Sequence, residues 1–223
     1  MQRGVTDYIG PTPDGYNAML KFGVKPHQAF ESSYPLDNKF KKVFEDRKIE
    51  RKKLGLEDIF TLLLSYGGEG VGSFDILEEI IKQNLPIQIV ILCGRNEKAV
   101  AKLQDLIEKS QSARIIPLGF ITNMQDYLYC CDISAGKAGM NTTFESIYLR
   151  RPFMVTKALV NEQVNVDLIM KHDIGWVPKD ANEFAAIVKG AFEHPESLEP
   201  YKKRMESITY TFSADKLAHD IMK

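Results

Sequence analysis

Two glycine-bearing turns in this 223-residue sequence have the composition of anion sites. The first, Gly67-Gly68-Glu69-Gly70-Val71-Gly72-Ser73, follows an apolar run and leads into an amphipathic stretch. A turn of that kind opens a helix, whose first N–H groups lack an intrahelical acceptor and whose dipole favours a phosphate. A dinucleotide fingerprint counted from Gly68 requires glycine at 73 and an acidic residue closing the next strand. Ser73 and Cys93-Gly94-Arg95-Asn96 stand there instead, which disfavours a nicotinamide-dependent dehydrogenase. The alternative for this loop is a steric turn without a ligand.

The second turn is Gly136-Lys137-Ala138-Gly139-Met140-Asn141-Thr142-Thr143-Phe144-Glu145. A Walker loop needs a glycine five residues before its Gly-Lys pair, and Cys131 occupies that position. Gly139 permits close backbone approach, Thr142 and Thr143 bring hydroxyl and amide groups to a helix start, and the three-residue spacing puts Thr142 and Glu145 on one face. A phosphate at Thr142 would leave Glu145 to accept hydrogen bonds from a ribose diol; otherwise Glu145 is a first-turn carboxylate favoured by the dipole. Lys137 either neutralises diphosphate charge or pairs with a surface acid. Further on, Asn161-Glu162-Gln163 opens another helix, with Asn165 close behind. These polar groups suit sugar hydroxyls, or serve as ordinary helix-start residues.

The elements that must position these residues alternate short apolar runs with longer amphipathic ones from Ile59 onward. That rhythm indicates an α/β fold, a Rossmann-like open parallel sheet with helices on both faces. Strands are expected at 59–65, 87–93, 114–118, 133–135, 153–156 and 175–177, most of them continuously apolar as strands covered on both faces should be. Phe74, Leu77, Ile80 and Ile81 form one helical stripe, and Val100, Leu103, Leu106 and Ile107 another. Asp180 and Glu183 read as a capping box for a helix through Val188, 193–210 reads as helical, and Ser213 caps the last helix.

The first 57 residues break this rhythm. Thr12-Pro13 opens a helix ending near Gly23, strand-like 29–34 follows, and 39–53 holds eight basic residues against three acidic ones. That excess reads as a solvated helix or linker, or as a contact with anionic lipid headgroups. The organisation expected is therefore 1–57 as the tail of a preceding domain with a linker, and 58–223 as a complete second domain with C-terminal helices.

Composition narrows the chemistry. A formal net charge of −1 removes any bulk electrostatic reason to bind nucleic acid. Cys93, Cys130 and Cys131 lack the spacing of a zinc or thioredoxin-like site and read as reduced core thiols, and no metal site is expected. His27, His172, His194 and His219 read as surface or packing residues. No apolar run is long enough to span a bilayer, and no signal peptide opens the chain, so the expected location is cytoplasmic.

Taken in order, GGEGVGS, CGRN, PLGFITNM from Pro117 to Met124, KAGMNTTFE and NEQ resemble the C-terminal half of glycosyltransferase family 28, closest to the monogalactosyldiacylglycerol synthases and processive diacylglycerol glucosyltransferases. The resemblance implies a GT-B fold in which this chain is the donor-binding half. It would hold a UDP-sugar as substrate, need no cofactor, and serve an inverting hexosyl transfer to a lipid acceptor such as diacylglycerol. Gly68, Glu69 and Gly70 would line the diphosphate and sugar, Arg95 the nucleotide, and Gly119, Phe120 and Ile121 the uracil. Lys137, Gly139 and Thr142 would meet phosphate, Glu145 the ribose, and Glu162 with Gln163 the hexose. The base, the acceptor site and the membrane contact are expected in the missing N-terminal domain, so the chain alone should be inactive and the full-length enzyme peripheral on the inner face of the plasma membrane. The family pattern has Pro-Gly where Met140-Asn141 stands, and Gly-Gln-Glu where Asn161-Glu162-Gln163 stands. Alternatives are the donor subunit of a split UDP-N-acetylglucosamine transferase with a separate acceptor subunit, a UDP-sugar epimerase, and a non-catalytic nucleotide-binding module.

Overall fold

Packing divides the chain into two compact units, Met1–Lys42 with Ile208–Lys223, and Val43–Ser207. The computed structural model describes residues 5–65 and 74–222. In the first unit, β1 (Tyr8–Gly10), α1 (Pro13–Lys21) and β2 (Ala29–Glu31) make a two-stranded parallel βαβ piece. Thr12 caps α1 through its hydroxyl, which accepts from Gly15 N at 3.0 Å.

The second unit runs α2 (Arg47–Lys53), β3 (Thr61–Ser65), α3 (Phe74–Lys82), β4 (Gln88–Leu92), α4 (Glu97–Lys109), β5 (Arg114–Leu118), α5 (Met124–Cys130), β6 (Ile133–Lys137), α6 (Met140–Tyr148), β7 (Phe153–Lys157), α7 (Gln163–His172), β8 (Gly175–Trp176), α8 (Ala181–Glu193) and α9 (Glu199–Glu206). Its six strands form one parallel sheet ordered β5-β4-β3-β6-β7-β8. The expected Rossmann-like open sheet is present, and each of the six strands lies where its apolar run was. Leu62, Leu64, Ile89, Ile91 and Ile133 are buried in the sheet, and Ile76, Leu77 and Ile80 of α3 cover it. Leu103 and Leu106 of α4 join this core, whereas Val100, expected in the same stripe, is exposed.

The chain then returns to the first unit. Its last helix, α10 (Ala214–Ile221), is capped by Ser213 as expected. The hydroxyl of Ser32 donates to Asp220 at 2.7 Å, that of Ser33 to the Ser213 carbonyl at 2.6 Å, and that of Tyr210 to Asp14. The compact units meet at 42/43 and 207/208. Side-chain hydrogen bonds, invisible to hydrophobic periodicity, tie the last helix to the first residues.

The basic stretch is partly a structural clasp. The carbonyls at the C-terminal end of α5 have no intrahelical donors and sit beneath buried chain. Three guanidinium groups serve them. Arg47 and Arg51 donate to the Cys130 carbonyl at 2.9 to 3.2 Å, and Arg151 donates to those of Leu128 and Tyr129 at 2.7 to 3.1 Å. Asp132 neutralises the pair from α2, at 2.7 Å from Arg47 and 2.9 Å from Arg51, while its Oδ2 accepts the Thr61 N–H at 2.7 Å. Lys53 is paired with Glu45 and Glu50. Arg47, Arg51 and Lys53 of the basic stretch are therefore paired within the protein, while Lys41, Lys48 and Lys52 are exposed. All three cysteines are buried free thiols, and burial pushes Cys130 up to about 11 and Cys131 to about 12.

Replacing Arg51 by Met leaves Asp132 and the Cys130 carbonyl short of a partner, and is expected to lower unfolding free energy by about 3 kcal/mol. Lys48→Met, on the exposed side of α2, should change it by less than about 0.5 kcal/mol. Urea denaturation of both variants measures the contrast.

Candidate functional site

In the sheet, the chain moves from β3 toward β4 and β5, and from β6 in the opposite direction toward β7 and β8. The β3/β6 border is therefore the point where winding reverses, and ligands of open α/β sheets bind beyond the carboxyl ends of the strands at such a point. The two strands end level, with Ser65 opposite Gly136. A Cβ on Gly136 would stand 2.7 Å from the Ser65 carbonyl oxygen, so glycine is required for the strands to come this close. The turn that follows β3, including Gly68, Glu69 and Gly70, lies outside the described residues.

The turn after β6 opens α6 with Gly139 as N-cap, in extended backbone at φ −69 and ψ 144. Gly139 has no side chain with which to satisfy the first-turn N–H groups. The first intrahelical bond runs from Thr143 N to Gly139 O at 3.0 Å. Thr142 and Glu145 are half-buried and one turn apart on this helix. Thr143 differs from the expectation that both hydroxyls face a ligand. It is fully buried, and its Oγ1 has no hydrogen-bond partner among the described residues.

Lys137 and Glu162, expected to meet phosphate and hexose separately, are bonded to each other at 2.7 Å. The other carboxylate oxygen of Glu162 accepts the Leu159 N–H at 2.9 Å, and the acid is buried. Asn165 is buried too, and its amide donates to the Ala138 carbonyl at 2.8 Å; it holds the loop before α6 and is not a group offered to a sugar. The Ala138 N–H bonds to Lys157 O at 2.9 Å. Gln163 is exposed at the start of α7 and donates to Asp167 at 3.0 Å.

A second cluster stands over β4 and β5. Arg95 follows Gly94, whose φ of 58° favours glycine, and its guanidinium lies 4.8 Å from the centre of the exposed Phe120 ring. Gly119 is exposed and Ile121 half-buried beside it. With neighbouring strands about 4.8 Å apart, this aromatic-cation platform over β4 and the Lys137 cluster over β6 are separated by roughly 10 Å across β3. His27, His194 and His219 are exposed and His172 is half-buried at the end of α7. Among the described residues no three His, Cys, Asp or Glu side chains are grouped to hold a metal.

This rim belongs to a known domain. Residues 74–184 match the model of the glycosyltransferase family 28 C-terminal domain. That stretch carries the family 28 C-terminal domain. The chain is 28% identical over 197 residues to a probable monogalactosyldiacylglycerol synthase, chloroplastic, of Glycine max, an alignment covering 82% of this chain and 36% of the relative. The curated relatives are matched over 35% to 49% of their own length, so the chain spans half of such a protein or less. Among solved structures, Anabaena Alr3699/HepE in complex with UDP-glucose matches with a TM-score of 0.68 at 16% identity, over 99% of this chain and 63% of that one. A UDP-GlcNAc 2-epimerase from Neisseria meningitidis bound to UDP-GlcNAc matches with a TM-score of 0.67 at 15% identity, over 97% and 60%. The family 28 domain thus has the architecture expected of the C-terminal half of a GT-B glycosyltransferase.

Burial is the largest influence on Glu162 and opposes its ionisation, but the Lys137 hydrogen bond, the Leu159 N–H and the charges of Lys137 and Lys157 together hold its carboxyl below the ordinary 4.5. A depressed carboxyl stabilises the fold fully above its ordinary value, and that contribution is lost as pH falls through the lower folded value. Glu162→Gln should therefore show a flatter loss of urea midpoint than the wild type as pH is lowered from about 5 toward 3.

Proposed function

We propose that this family 28 domain holds the UDP-sugar donor of a hexosyltransferase whose acceptor is a lipid, diacylglycerol by its likeness to the synthases of galactolipid. The observation that carries the reading is the start of α6, capped only by a glycine, set at the winding reversal beside Lys137, with Glu145 one turn inside. In this reading the diphosphate meets the α6 N-terminus and Lys137, Glu145 accepts from the ribose hydroxyls, and Phe120 with Arg95 flanks the uracil. Gly68, Glu69 and Gly70 close the diphosphate from the β3 side, and Gln163 approaches the hexose.

The reaction is an inverting, metal-independent displacement. The acceptor oxygen forms a bond to the anomeric carbon as the bond from that carbon to the diphosphate oxygen breaks. The acceptor proton passes to a base outside this domain, and UDP departs with its charge stabilised by the α6 N–H groups and Lys137. Preorganised donors of this sort contribute about 3 kcal/mol to lowering a barrier. The first unit is the end of an acceptor domain, and the full-length enzyme works as a peripheral protein on the inner face of the plasma membrane. No helix among the described residues is long and apolar enough to cross a membrane. Alone, the chain binds donor and transfers little or nothing.

Calorimetry with UDP, UDP-glucose, UDP-galactose and UDP-N-acetylglucosamine tests this. UDP and at least one UDP-hexose should bind, and Glu145→Ala should weaken each by about tenfold. Unchanged affinity in that variant removes the ribose assignment, and absence of any UDP-sugar binding removes the donor reading. The fold likeness to an epimerase names the competing outcome, an epimerised sugar nucleotide appearing from donor alone.

A further inference from the structure

The side chain of Lys137 crosses the N-cap of α6. A Cβ on Gly139 would lie 3.8 Å from Lys137 Cε and 3.9 Å from Glu162 Oε1, so both charged groups sit over the first residue of the helix. A lone ammonium is disfavoured at the positive end of a helix dipole, and a carboxylate is favoured there. Glu162 supplies that carboxylate, within 2.7 Å of Lys137 Nζ. It is held rigidly, since its side chain is only 8% exposed and its second oxygen is fixed by the Leu159 N–H. Lys137, at 44% exposed, is the partner with freedom to move.

We infer that Glu162 is an internal counter-ion for Lys137, an affinity-determining residue that competes with the donor diphosphate for the same ammonium and helix start. This rests on the donor reading above and assigns Glu162 a role opposite to a hexose contact: the carboxylate weakens nucleotide binding by holding Lys137 and by repelling the incoming phosphates. Gln at 162 retains an oxygen to accept the Leu159 N–H. When the diphosphate arrives, Lys137 exchanges one anion for another, and release of UDP restores the internal pair.

The test is calorimetric titration of the chain with UDP and with uridine, which lacks phosphate, in wild type, Glu162→Gln and Lys137→Met. Removal of the competing charge should tighten UDP binding by about three- to tenfold in Glu162→Gln, and loss of the ammonium should weaken it by about tenfold in Lys137→Met. Uridine affinity should stay within about twofold in both, because neither charge meets the nucleoside. UDP binding that is unchanged or weaker in Glu162→Gln overturns the inference while leaving the donor reading intact, as does UDP binding unchanged in Lys137→Met, which decides the matter if the first variant fails to fold. A wild-type chain that binds no UDP removes the donor reading and this inference together.

Discussion

The close pairing of β3 with β6 is the constraint from which the rest of the second unit follows. The Gly136 position tolerates no side chain because the Ser65 carbonyl occupies the space. That contact sets two strands level at the border where the sheet changes winding direction, and both following turns leave from the same rim. A shift in this register would separate the two helix openings by a residue or more. The ladder with β7 carries its own irregularity at Gly136/Lys137, just where the strand hands over to the Lys137–Glu162 pair.

The opposite rim is held by a different force. At the amino ends of the strands the carbonyl end of α5 is buried, and charged donors satisfy it. Arg47, Arg51 and Arg151 do so from two elements far apart in sequence, with Asp132 balancing the charge at the start of β6. The strand that carries Gly136 and Lys137 is thus anchored at its beginning by an ionic clasp and at its end by a steric one.

Most of the sheet was legible in advance, because strands sandwiched between helices are apolar without interruption and their runs stand out from the amphipathic segments between them. β1, three residues of Tyr-Ile-Gly, carries no such run and escaped notice. The role of two arginines in the basic stretch was hidden for a related reason: a charge count is blind to sidedness, and Arg47 and Arg51 lie one turn apart on the face that turns inward. At the candidate site, Thr142 and Glu145 were singled out from their place after a strand, and Arg95 and Phe120 from the family resemblance. The Lys137–Glu162 bond was not, since its members are 25 residues apart in the chain and meet only because β6 and β7 are neighbours. The sequence left Asn165 open between a sugar contact and a helix-start residue, because a polar side chain at a helix start looks the same whether it faces a crevice or fastens the neighbouring loop.

The arginine clasp also bears on how such a protein can be divided. Residues 43–57 precede the first strand of the large sheet and would be discarded by any cut chosen from strand rhythm alone, yet they carry two of the three cations that close α5. Natural fission of the gene, limited digestion or deliberate trimming can each keep this clasp whole only if the break falls ahead of Arg47. The second compact unit begins earlier than its sheet, and the helix that looks like a tether is that unit's own first structural member.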